Sequence, residues 1–122
     1  MTAYFMVRAQ VVDADVKDDF DRWYRDEHLP DALKGFRARR AWRGWSAVDA
    51  SVHHAFYEFD DITRAQAILG SDALKRLVAE FDRLWGSKVK RSRDFVEVIQ
   101  TVGTRRRAVA LPCALCVVGF VE

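Results

Sequence analysis

The feature that most constrains this chain is a change of hydrophobic period near residue 13, repeated later in the sequence. In YFMVRAQVV, Tyr4 to Val12, the residues Phe5, Val7, Ala9 and Val11 alternate with Tyr4, Met6, Arg8 and Gln10. Period two places the first set on one face of a strand and the second on the other. From Val16 the spacing becomes three and four. Val16, Phe20, Trp23 and Glu27 form one stripe, and Phe20, Tyr24 and His28 form the neighbouring one, as on a helix. Asp15 is a suitable cap, and Asp18 and Asp19 suit the positive end of the helix dipole. Pro30 predicts the helix end, because the residue before a proline is pushed out of helical conformation.

The remaining segments follow the same logic. FRARRAWRGWSAV, after Gly35, and HHAFYEF, His53 to Phe59, read as two strands joined by the turn Asp49-Ala50-Ser51. Asp60 or Asp61 caps the short helix ITRAQAIL, and Gly70 interrupts it. Ser71 caps a longer helix on which Leu74, Leu77, Val78, Phe81, Leu84 and Trp85 make one apolar face, stopped by Gly86. A last strand is expected over 91–101. The order is β-α-β-β-α-β, an α+β sandwich of the ferredoxin-like plan: a four-stranded antiparallel sheet with helices on one face. The other face keeps Tyr4, Met6 and, depending on register, Trp42 or Trp45. Such a face is rarely left to water, and a two-fold homodimer is the simplest cover.

The 122 residues suffice for one domain, and with half of them hydrophobic a core is available. Residues 1–103 are expected to form that domain, and 104–122 an additional arm or extra strand. The formal charge is only +2, which argues against a dedicated nucleic-acid binder. Cys113 and Cys116 imply no disulfide framework and only a weak zinc signal. The first residues do not read as a signal peptide, and the apolar stretch from Ala108 to Val121 is too short to span a membrane. A cytoplasmic protein is expected. No glycine-rich phosphate loop and no G-x-S-x-G occurs, so no nucleotide or other cofactor is implied.

In FDRWYRDEHLPDAL, Phe20 to Leu33, the chain resembles the dimeric α/β-barrel superfamily, nearest to the EthD-like proteins. The matching residues are Trp23, Tyr24, Glu27, His28, Leu29 and Pro30, an aromatic pair followed by an acid, His and Pro. GFRARRAW and AFYEFDD fit the second and third strands, so the resemblance covers about residues 4–101. It implies a homodimer with two sheets packed face to face and a cavity between sheet and helices in each subunit. Relatives include cofactor-free monooxygenases, cyclases and isomerases, so the fold alone does not choose a reaction.

The residues that can carry chemistry are few. His28 suits acid or base work near neutral pH, and Tyr24 lies one helical turn before it, placed to hydrogen-bond a developing oxyanion. Trp23 reads first as packing, and Glu27 as solvated or paired. Both are candidate ligand contacts, as are His53 and Tyr57, which share a strand face. His53 and His54 are neighbours on a strand and point to opposite faces, which disfavours a metal site. Three functions stay open, in this order. The first is a small-molecule protein that binds or transforms an aromatic or polyketide-like molecule by cofactor-free acid–base chemistry. The second is a non-catalytic dimeric scaffold. The third is an RNA-binding module, to which Arg37, Arg39, Arg40 and Arg43 beside Trp42 and Trp45 would contribute. Against the third stand Glu58, Asp60 and Asp61 on the strand that should carry its basic and aromatic signature.

Overall fold

The computed structural model describes residues 1–104. The expected arm over 104–122, with Cys113 and Cys116, lies outside the described residues from position 105 on. Strand β1 is Ala3–Val11, β2 is Arg40–Trp45, β3 is Val52–Phe59 and β4 is Val89–Glu97. They pair antiparallel in the order β2-β3-β1-β4, with the hairpin β2-β3 on one side of β1 and β4 on the other. Helices α1 (Lys17–Trp23) and α2 (Leu29–Phe36) follow β1, and α3 (Ile62–Gln66) and α4 (Asp72–Trp85) follow β3. This is the ferredoxin-like sandwich, and within one chain its sheet stays open.

Alternation on β1 is as the sequence reads: Ala3, Phe5, Val7, Ala9 and Val11 are buried under the helices. The strand ending at Phe59 is followed by a helix that Asp61 caps by accepting from the Arg64 N–H at 2.8 Å, and Ser71 caps α4 through the Leu74 N–H. At the first helix Asp13, not Asp15, does the capping, accepting from the Asp15 N–H.

Three expectations are corrected. Pro30 does not end the first helix. A five-residue π-helical turn, Tyr24–His28, joins α1 to α2, and the Leu29 N–H bonds the Tyr24 carbonyl. Pro30 then falls at the second residue of α2, immediately after the wide turn and inside a continuous helical run. The helix stops instead at Arg37, in the left-handed region with φ 55°. Phe36, expected on strand β2, is therefore a buried helix residue. Gly35 lies inside α2 because α4 comes close there: a Cβ on it would sit 3.2 Å from that of Ala73. Finally, β4 runs 89–97 rather than 91–101, because its partner β1 offers backbone only from Val11, opposite Val89, to Ala3, opposite Glu97.

The core centres on Phe20. Its ring lies within 6.1 Å, centroid to centroid, of Trp23, Tyr24, Trp45, His53, Phe81 and Trp85. Trp45 therefore faces the helices, and Trp42 is the tryptophan on the opposite face. There it lies 5.4 Å from Tyr4 and stacks on Phe56 at 5.7 Å. Glu58 is buried on that same face, bound by Arg40 at 2.7 Å and reached by Arg39 at 3.5 Å.

Removing the Phe20 ring would leave a cavity that six neighbours cannot close. Phe20→Ala is expected to lower unfolding stability by about 3–5 kcal/mol in urea denaturation. A loss under about 1 kcal/mol would show that the ring cluster is not the centre of the core.

Candidate functional site

The wide turn decides where the side chains of the first helix go. In a regular helix Trp23 shares its stripe with Glu27. In the π-helical turn the fifth residue on, His28, takes that place: its ring stacks on Trp23 at 4.4 Å with 24° between planes. Tyr24 meets His28 edge-on at 4.8 Å. His28, Trp23 and Tyr24 are buried, while Glu27 is exposed. The turn thus carries His28 inward and Glu27 outward. Among the described residues Glu27 makes no side-chain hydrogen bond or ion pair.

His28 lines a cleft between the sheet and α4. The sheet contributes Phe5, Val7, Tyr57, Arg91 and Arg93. Helix α4 contributes Leu74, Leu77, Val78 and Phe81, and Phe36 closes the end of α2. Its space is about 340 Å³ including open solvent at the mouth, so this is a shallow open cleft in which a ring would lie partly exposed, not an enclosed ligand cavity. Tyr57 lines the cleft. Tyr24, Trp23 and His53 lie behind it in the aromatic core. The sequence does not single out Arg91, Arg93 or Phe36 as cleft residues. Arg91 and Arg93 occupy alternate positions where the pattern of β4 otherwise puts Val89 and Phe95 inward, and that break in the apolar alternation was the available signal.

Behind the cleft runs a polar chain. Asp21 Oδ1 accepts from Trp45 Nε1 at 2.8 Å and from both terminal nitrogens of Arg43, at 3.0 and 2.9 Å. Those bonds, led by Trp45, hold the Asp21 carboxyl below its usual range. Arg43 Nη1 also lies 3.0 Å from His53 Nε2. A guanidinium only donates, so Nε2 is the acceptor and the proton of the neutral ring sits on Nδ1. His53 packs 4.4 Å from the Tyr24 ring. The Tyr24 hydroxyl and the Nδ1 atoms of His28 and His53 are buried with no hydrogen-bond partner among the described residues.

Burial sets the protonation of this group. It pulls the His28 imidazolium down to about 4, helped by the charge of Arg91. It pulls His53 down to about 3, helped by Arg43. Burial pushes the Tyr24 hydroxyl up to about 12, and pushes Tyr57 well above 10 with Tyr24 adding to it. At neutral pH the two imidazoles are uncharged and the two phenols protonated, so the cleft presents a neutral base beside a hydroxyl donor.

No protein-family model matches the chain, and no curated protein matches it in sequence. Solved structures match its fold. An EthD family protein from Bacillus halodurans superposes with TM-score 0.65 at 16% identity, covering 81% of this chain and 100% of its own. HapK from Hahella chejuensis gives 0.60 at 12%, covering 88% and 99%. SnoaB from Streptomyces nogalater, a cofactor-independent oxygenase, gives 0.58 at 11%, covering 84% and 98%. The fold is thus ferredoxin-like, shared with solved structures described as EthD family and antibiotic biosynthesis monooxygenase proteins. Among the described residues no helix is long and apolar enough to cross a membrane.

The buried histidines make stability depend on pH. Between about pH 6.5 and 4 the unfolded chain binds a proton at His28 that the folded chain does not. Stability is therefore complete above about pH 6.5 and falls as the pH drops through that window, by on the order of 3 kcal/mol from His28 alone. Asp21, whose carboxyl is held low, weakens the fold only at lower pH. Urea denaturation at a series of pH values should show the decline, and His28→Gln should make it shallower, leaving the share that His53 contributes. An unchanged slope in that variant would place His28 in water.

Proposed function

We propose that the chain is a small-molecule protein of the cofactor-free kind, a homodimer that binds and transforms a planar aromatic or polyketide-like molecule in the cleft beside His28. One observation carries this reading: a cleft between sheet and helices, apolar apart from Arg91 and Arg93 on β4, gathers a neutral imidazole and a tyrosine hydroxyl. In that setting His28 accepts a proton from an acidic C–H or phenol. The negative charge developing on the ligand oxygen takes a hydrogen bond from Tyr57 and raises the basicity of His28 through the dry medium between them. Tyr24 is a positioning residue, holding Tyr57 and His28 from behind. Trp23 fixes the plane of the imidazole by stacking on it, and His53 backs Tyr24. Glu27, on the outer surface, stands apart from this chemistry. The likeness to SnoaB, whose description is a cofactor-independent oxygenase, supports the class of reaction without naming the substrate.

The open sheet face supports the homodimer. Trp42 and Val96 remain more than a third exposed there, beside Tyr4, Met6 and Phe56. Wetting such a face is costly, and a second copy related by a two-fold axis presents the same surface. A dimer in which neither reaction nor ligand exists would be the scaffold alternative.

Two measurements test this reading. In a screen of phenols and naphthoquinones, a compound bound in the cleft should lose about tenfold or more in affinity on His28→Ala and on Tyr57→Phe. Any turnover found should fall by a factor on the order of 10² to 10⁴ on His28→Ala. Tight ligands indifferent to both changes would move the site elsewhere. Sedimentation at micromolar concentration should give the dimer mass, and Trp42→Asp should give the monomer. A wild-type monomer would refute the proposed assembly.

A further inference from the structure

We infer that the cleft takes a planar molecule that carries a carboxylate, its ring among the apolar side chains and its carboxylate on Arg91 and Arg93. This rests on the reading that the cleft is the ligand site, and it names the chemical class of the ligand.

Strand β4 supplies the reason. Val89, Arg91, Arg93 and Phe95 alternate along the face turned to the helices, and core packing alone would fill all four positions with apolar groups. The two arginines stand instead at the cleft, opposite Ala9 and Val7 of β1. Those small neighbours leave room beside the long cations. Among the described residues no Asp or Glu lines the cleft.

The two charges are incompletely compensated. Arg91 Nη2 donates to Asp82 Oδ1 at 3.1 Å, and its guanidinium lies 4.4 Å over the Phe81 ring with only 17% of the side chain exposed. That contact fixes the plane of the guanidinium at the wall of the cleft. Arg93 has no hydrogen bond or ion pair among the described residues. Two like charges two positions apart on one strand face repel each other, and an anion between them relieves the repulsion.

Guanidinium groups match carboxylates through paired N–H donors, a stronger and more directional contact than a point charge gives. The rest of the wall, Phe5, Phe36, Leu77 and Phe81, suits a flat hydrocarbon ring. His28, neutral at the working pH, offers a hydrogen bond without adding a competing charge. A neutral isostere of such a ligand fits the same space and forfeits the ionic contact.

The test uses 1-naphthoate and 1-naphthamide, equal in shape and different in charge, titrated into the ¹⁵N-labelled protein and followed by NMR. The expected result is that both shift the amides of Tyr57, Val78 and Phe81. Naphthoate should bind about tenfold or more tightly than the amide, a factor worth about 1.4 kcal/mol. Arg93→Gln, a change at an exposed side chain, should bring the ratio towards one while leaving amide binding in place. Arg91→Gln should do the same, its spectrum checking that the fold survives. Equal affinity for the two probes, or a preference that persists in both variants, overturns the carboxylate inference and leaves the cleft as a ligand site. If neither probe shifts those amides, the inference and the cleft reading fall together.

Discussion

Everything distinctive about this chain depends on one stretch of backbone, the five-residue turn from Tyr24 to His28. It lets a helix continue past Pro30, so that the run from 17 to 36 crosses the sheet and ends with Phe36 against Phe5 and Tyr57. It also replaces Glu27 by His28 on the inward stripe. The stack of His28 on Trp23 is the packing that goes with that turn. Without the extra residue a carboxylate would point toward the aromatic core, where its desolvation is costly, and the imidazole would shift round the helix. Wide turns of this kind interrupt helices at a cost in regularity and are frequent at functional sites.

The sheet answers to two different environments because its residues alternate strictly. The face under the helices is aromatic and nearly dry, and it places Tyr57 and His53 two turns of the pleat apart, one at the cleft and one in the polar chain behind it. The opposite face mixes Trp42, Phe56 and Tyr4 with the Arg40–Glu58 pair, Arg40 lying 5.0 Å over the Trp42 ring. Glu58 is buried there although it belongs to the outer face, which is possible because Arg40 and Arg39 supply its counter-charge.

Inside, the chemistry is governed by burial more than by charge. Histidines and tyrosines that would titrate near their ordinary values in water are held neutral by the low-dielectric core. The nearby arginines, Arg43 and Arg91, push the histidines further the same way. Five buried side-chain polar atoms among the described residues, on Trp23, Tyr24, His28, His53 and Trp85, are left without hydrogen-bond partners, which is costly in a dry core.

The period of the hydrophobic residues was enough to order the strands and helices, because a strand and a helix each impose their repeat over many residues. It also showed that His53 and Tyr57 share a face, and the local signals marked Asp60 or Asp61, Ser71 and Gly86 as helix bounds, since these depend on neighbours a few residues away; the structure chose Asp61. It did not show the wide turn. The rule against helix before proline is local, and it yields when packing of α2 on α4 and the sheet rewards a continued helix. Nor did it show that Arg91 and Arg93 flank a cleft or that Phe36 belongs to a helix. Those facts need β4 beside β1 and α2 beside α4, contacts between residues far apart in the chain. Sequence by itself therefore determined the elements and their faces, through short-range sterics and hydrophobic spacing. Only the tertiary structure decided which polar groups share one cleft, because that depends on the register of strands and the close approach of helices.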